Sequence, residues 1–122
     1  MSISNYAELA LLNTLRNTSF AVAGTWLKLH TGDPGEDASA NAATNTSRQS
    51  ISFSAASSGS LASSSTATWT NVSTTETYTH WSLWDSVGPT GGNPLWKGAL
   101  STSASVTAGD TFQITSLTLS LD

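Results

Sequence analysis

Two histidines, three closely spaced acids and five tryptophans are the residues of this chain whose types could do chemistry. Nucleophilic catalysis needs a serine beside a base that a third group orients. His30 and His80 are the available bases, but each sits in an alternating stretch beside Leu or Trp, and no Gly-x-Ser-x-Gly elbow is present. An imidazole bonded to backbone or water is the expectation for both, and no catalytic residue is assigned. Asp33, Glu36 and Asp37 offer carboxylate oxygens of the kind calcium takes. They lack the alternating acid spacing of a calcium loop, and Asp33 before Pro34 has the sequence of a turn-forming acid. The histidines have no zinc-ligand spacing, and without cysteine there is neither a thiolate metal site nor a disulfide. No metal and no cofactor is expected.

Trp26, Trp69, Trp81, Trp84 and Trp96 are many for 122 residues. Exposed indoles would stack on sugars, whereas buried ones would fill a thin β core. In the stretch from Thr77 to Trp84, strict alternation puts Trp81 and Leu83 on one face and Tyr78, His80 and Trp84 on the other. Trp84 and Tyr78 are therefore candidate contacts outside the main core, with a helix, a partner chain or a ligand.

Strands must position these residues. About a third of the chain is Ser plus Thr and only 10% is charged, a composition that suits exposed strand faces and turns. With a net charge of −4 and Arg16, Lys28, Arg48 and Lys97 scattered singly, no nucleic-acid partner is expected. No apolar run approaches the ~20 residues of a membrane span, so no membrane partner is expected either. The first residues lack the basic region of a secretory signal.

Asn5-Tyr6-Ala7-Glu8 has the spacing of a capping box, predicting a helix from about Tyr6 to Asn17 with Asn5 as its cap. Apolar residues occupy much of its circumference, and Tyr6, Leu9 and Leu12 are candidate partner contacts. Trp26 to His30 alternates as a strand that the Thr31 to Gly35 turn ends. Residues 36–47 read as an exposed loop. Gln49 to Ser54 and Thr66 to Val72 read as strands, separated by a serine-rich loop or weak edge. From Thr77 onward, strand, Gly-Gly-Asn-Pro turn, strand, Ala-Gly-Asp turn and strand make an antiparallel meander. In the last strand Phe112 and Ile114 are even-numbered, whereas Leu117, Leu119 and Leu121 are odd-numbered. An inward face cannot change parity without an extra residue, so a bulge or bend near Thr115-Ser116 is expected, letting one strand serve two packed sheets. The expected architecture is a single mainly β domain over residues 1–122. It is an antiparallel β-sandwich with Greek-key or jelly-roll-like connections, and residues 1–19 form an N-terminal arm and short helix.

The order of pieces also carries a resemblance. Ile3-Ser4-Asn5-Tyr6 opens the helix, Leu27 to Gly35 gives Leu-x-Leu-His-Thr-Gly-Asp-Pro-Gly, and Arg48 to Ala56 gives Arg-Gln-x-Ile-x-Phe-x-Ala-Ala. Thr79 to Asp85, Gly92 to Leu100 and Val106 to Phe112 follow. The chain resembles a family of small tailed-bacteriophage virion proteins, the tail-fibre-like or minor structural proteins. Ala43 to Arg48 departs from the glycine-rich segment that precedes this strand in the family. The resemblance implies a non-enzymatic building block in the virion. Its partners would be the major capsid protein or other virion proteins, and further copies of itself, a trimer being the expected number. A compact chain without heptads or repeats suits a decoration subunit on the outer capsid surface. The alternative is a tail-fibre or minor tail protein that binds host-surface carbohydrate.

Overall fold

The hairpin foreseen from Thr77 onward lies at the centre of the structure, a computed structural model that describes residues 1–121. The elements in chain order are β1 (Ser2–Ile3), α1 (Asn5–Thr14), β2 (Trp26–His30), β3 (Gln49–Ser50) and β4 (Ser60–Ala62), then β5 (Ala67–Trp69), β6 (Glu76–Trp84), β7 (Pro94–Val106), β8 (Phe112–Ile114) and β9 (Thr118–Ser120). The chain is mainly β with one short N-terminal helix, as its composition predicts. A five-stranded antiparallel sheet has the order β1-β7-β6-β2-β3, and two ribbons, β4-β9 and β5-β8, accompany it. No helix among the described residues is long and apolar enough to cross a membrane.

Alternation along β2 and β6 builds the core face. Leu27 pairs with Leu83 and Leu29 with Trp81, and all four are buried. These side chains, with Leu95 of β7, join one apolar cluster with Trp69, Ile114, Leu117 and Leu119 from the ribbons, a sandwich-like arrangement. Trp81 packs so closely on β7 that a Cβ at Gly98 would lie 2.5 Å from the ring.

Strict alternation fails at one point. Tyr78 pairs with Ala104 but His80 pairs with Ala99, so Thr79 alone spans four residues of β7. This irregularity turns Tyr78 into the core, fully buried against Phe112 at a centroid distance of 5.2 Å. Tyr78 therefore does not share the face of His80 and Trp84. Near the end of the chain the expected break is present. β8 pairs with β5, β9 pairs with β4, and residues 115–117 separate them, which lets Ile114, Leu117 and Leu119 all turn inward.

The helix starts one residue earlier than the capping box suggests. Ser4, not Asn5, is the N-cap, extended at φ −73° and ψ 158°, and its Oγ accepts the Ala7 N–H at 3.1 Å. Ser4 also donates its Oγ hydrogen to Pro94 O at 2.5 Å and its N–H to Leu95 O, tying the cap to β7. The helix closes in a Schellman pattern: Asn17 N–H donates to Thr14 O and Thr18 N–H to Asn13 O, with Asn17 at φ 61°.

The expected exposed loop over residues 36–47 is mostly exposed, yet it is anchored. Ala38 and Ala43 are each 2% exposed, and both oxygens of Glu76 accept backbone N–H groups, from Thr44 and Asn45 at 3.0 Å. Ala43 N–H donates to Leu29 O and Thr31 N–H to Asn41 O, so the segment runs along β2.

Candidate functional site

The second face of the five-stranded sheet gathers the chemistry-bearing residues. Trp26, Lys28 and His30 of β2 pair there with Trp84, Ser82 and His80 of β6. His30 and Ser82 are fully buried, and they form one linear chain of hydrogen bonds. Trp84 Nε1–H donates to Ser82 Oγ at 2.7 Å, and Ser82 Oγ meets His30 Nε2 at 2.7 Å. His30 Nδ1 meets Ala40 O at 2.9 Å. A carbonyl only accepts, so Nδ1 carries the hydrogen, Nε2 is the acceptor, and Ser82 donates to it. Burial pushes the His30 imidazole down to about 4, against an ordinary value of 6.5.

This is a serine within reach of a histidine, the contact that nucleophilic catalysis uses. Here it is sealed. Ser82 Oγ has no exposed surface for a substrate to approach, and the far nitrogen of His30 faces a backbone carbonyl instead of a carboxylate. The arrangement satisfies polar groups beneath a strap of backbone. His80 is half-buried, with Nδ1 2.8 Å from Thr79 Oγ1.

Arg48 completes the cover. It is 5% exposed, its guanidinium lies 4.1 Å from the Trp84 ring centroid, and Nη1 donates to Ser86 O and Gly91 O at 2.9 and 3.0 Å. A planar guanidinium can stack and donate in this way at once. Trp84 is consequently buried, as is Tyr78, and neither offers an open surface to a partner. Trp69 and Trp81 are also buried, with Trp69 Nε1 donating to Ser47 O, while Trp26 and Trp96 are half-buried. No indole stands free as a stacking platform.

The acidic turn holds itself together. Asp33 Oδ1 accepts Gly35 N–H at 3.0 Å and Lys97 Nζ at 2.9 Å, and Lys97 also lies 3.6 Å from Glu36. The Gly35 N–H bond, then Lys97, holds the Asp33 carboxyl below its ordinary value. Asp37 accepts both the N–H and the hydroxyl of Ser39, and these bonds lower its carboxyl too. Among the described residues no group of three His, Cys, Asp or Glu is placed to hold a metal.

A groove of about 360 Å³ lies between β7 and the β8–β9 segment, floored by Trp81 and Phe112 and rimmed by hydroxyls such as Ser101, Thr102 and Ser116. Its one amide, Gln113, donates to Thr68 at 3.3 Å, and no charged side chain lines it.

The remaining candidates lie on α1. Only Ala7 of the helix is buried, whereas Leu9 is 64% and Leu12 62% exposed, and Tyr6, 39% exposed, meets Phe20 edge-on at 6.1 Å. Leu15, at 84%, belongs with them and was not singled out from the sequence. Its three-residue spacing from Leu12 was the available signal. Arg48 and Ser82 were also missed, because Arg48 meets Trp84 only across the fold, and Ser82, although it shares a strand face with Trp84, takes its role from His30 on a distant strand.

A mainly β fold in which His30, Ser82 and Trp84 are buried and the helix shows leucine to solvent suits a structural module. The chain belongs to the phage family described as podophage GP4 fiber I protein gp80, which it matches over residues 2–122. It is thus a structural protein of a phage virion. No curated protein matches the chain.

Proposed function

We propose that the protein is a non-enzymatic subunit of the phage fibre apparatus, held to a neighbouring virion polypeptide through Tyr6, Leu9 and Leu12 on the outer face of α1. The observation that carries this reading is that leucine face, on a surface otherwise rich in hydroxyls and poor in charge. Contiguous exposed apolar side chains on a soluble protein mark a contact surface. The fibre description of the family, matched along nearly the whole chain, favours the tail over the capsid surface. The same match supports an architectural part without a reaction of its own.

Cryo-electron microscopy of the parent virion, with head and tail averaged separately, tests the placement. Density fitting this fold at the tail supports it. Density spread over the capsid surface instead overturns it and restores a head-decoration subunit.

A further inference from the structure

We propose that the outer edge of β9 accepts an added strand, an extended and uncharged segment of another virion polypeptide with apolar side chains at alternate positions. This surface is separate from α1, so the site goes beyond the attachment proposed above.

β9 leaves half of its backbone hydrogen-bonding groups unused. In its ladder with β4, Ser63 N–H donates to Leu117 O and Leu121 N–H to Gly59 O, and the same register sets Leu119 opposite Leu61. Residues of an antiparallel pair alternate between those that exchange hydrogen bonds and those that do not. The odd-numbered residues therefore bond to β4, and the N–H and C=O groups of Thr118 and Ser120 point the other way. Among the described residues no strand pairs with that side of β9, and both residues are exposed. Open edges in folded proteins are commonly guarded by charged side chains or proline. Residues 111–121 contain neither.

The grooves beside this edge suit the side chains of such a strand. The 360 Å³ groove between β7 and the β8–β9 segment has Leu117 and Thr118 in its wall. A second groove, of about 240 Å³, lies against Leu119 and Leu121 and is closed by Leu61 of β4 and Trp96 of β7. No charged side chain lines either one. The two follow one another along β9, so alternate side chains of one added strand, roughly 7 Å apart, would enter them in turn. Backbone pairing then supplies the affinity and the grooves select the side chains. A second folded copy does not fit as the donor. Its own β9 turns Leu117 and Leu119 into its own core, where they are 9% and 5% exposed, and has neither left to fill a groove.

Residue-resolved amide hydrogen exchange on the purified full chain and on the assembled virion tests this. In the purified chain Thr118 and Ser120 should exchange near the unprotected rate, while Leu119 between them is slow. In the virion both should slow on the order of tenfold or more, because each N–H then donates to the added strand. Thr118→Lys combined with Ser120→Lys places charge on the edge at exposed positions and should lower incorporation into virions severalfold. Thr70→Lys, exposed just beyond β5, should leave incorporation at the parental level. Circular dichroism checks that each variant keeps its fold.

Exchange at Thr118 and Ser120 as fast in the virion as in the purified chain overturns the proposal, as do edge lysines that leave incorporation unchanged. Slowing that already appears when the purified chain is concentrated also overturns it, because a second copy would then be the donor. If Leu12→Glu protein is lost from virions while edge exchange stays fast, attachment through α1 stands and the strand site alone fails. If Leu12→Glu protein assembles normally while edge exchange slows, the strand site stands without α1.

Discussion

Single residues decide how the second face of the sheet is closed. His30 must stay neutral, because Nε2 accepts from Ser82 and the ring is fully buried. Its value is held at about 4 in the folded chain and returns to about 6.5 on unfolding. Above pH 6.5 neither state takes the proton, so the full stabilisation is present. As pH falls from there towards 4 only the unfolded chain binds it, and stability declines with a slope of ~1.4 kcal/mol per pH unit. Asp33 and Asp37, lowered from 3.8, lose their contributions only further down the scale. Urea midpoints measured between pH 7 and 4.5 should show this one-proton slope, and His30→Asn should flatten it whatever that variant does to stability at pH 7. An unchanged slope in the variant would place the proton elsewhere. On the opposite, core face of the sheet, Gly98 is just as constrained. A methyl group there enters the Trp81 ring at 2.5 Å, so Gly98→Ala should destabilise by about 1–3 kcal/mol through overpacking. The corresponding change at Gly91, which has open space but a φ of +82°, should cost less and leave the near-ultraviolet tryptophan signal intact.

Elements were legible where period and turn chemistry acted locally, and less so where a distant strand intervened. The β6–β7 hairpin and the break before β9 follow from alternation and parity within a few residues. Tyr78 did not, because the irregularity that turns it inward arises from four residues of β7 facing Thr79, and nothing near Tyr78 in sequence encodes that. The helix start shows the same division. Ser4 and Asn5 are both capping types, and the choice falls to Ser4 because its hydroxyl and N–H also reach Pro94 and Leu95, ninety residues on. Of the five candidate contact residues, the structure brings Tyr6, Leu9 and Leu12 together on α1, while Trp84 and Tyr78 lie beneath cover. Ser4→Ala should accordingly remove a cap bond and a docking bond at once and cost about 1–2 kcal/mol, seen as a lowered thermal midpoint. Asn5→Ala, at the position the capping box favoured, should stay within about 0.5 kcal/mol of the parent.

At the scale of the whole molecule, the last strand segments connect parts that pair separately. β8 binds β5 and β9 binds β4, yet Ile114, Leu117 and Leu119 enter the same apolar cluster as Leu27, Leu29 and Trp81 of the five-stranded sheet. Neither two-stranded ribbon has enough apolar surface to persist alone. One cooperative unit spanning residues 1–122 is the consequence proposed here, and Leu119→Ala tests it. Leu119 is 5% exposed in the β4–β9 ribbon, and deleting its side chain should cost about 2–4 kcal/mol. All five tryptophans lie on other elements: Trp26 on β2, Trp69 on β5, Trp81 and Trp84 on β6, and Trp96 on β7. If the chain is one unit, their near-ultraviolet signal and the far-ultraviolet backbone signal should fall together at the same lowered urea midpoint, with an unchanged dependence on denaturant. A backbone transition that separates from the tryptophan transition would instead show the ribbon coming loose from a sheet that folds without it, and the single unit would have to be divided at the bend.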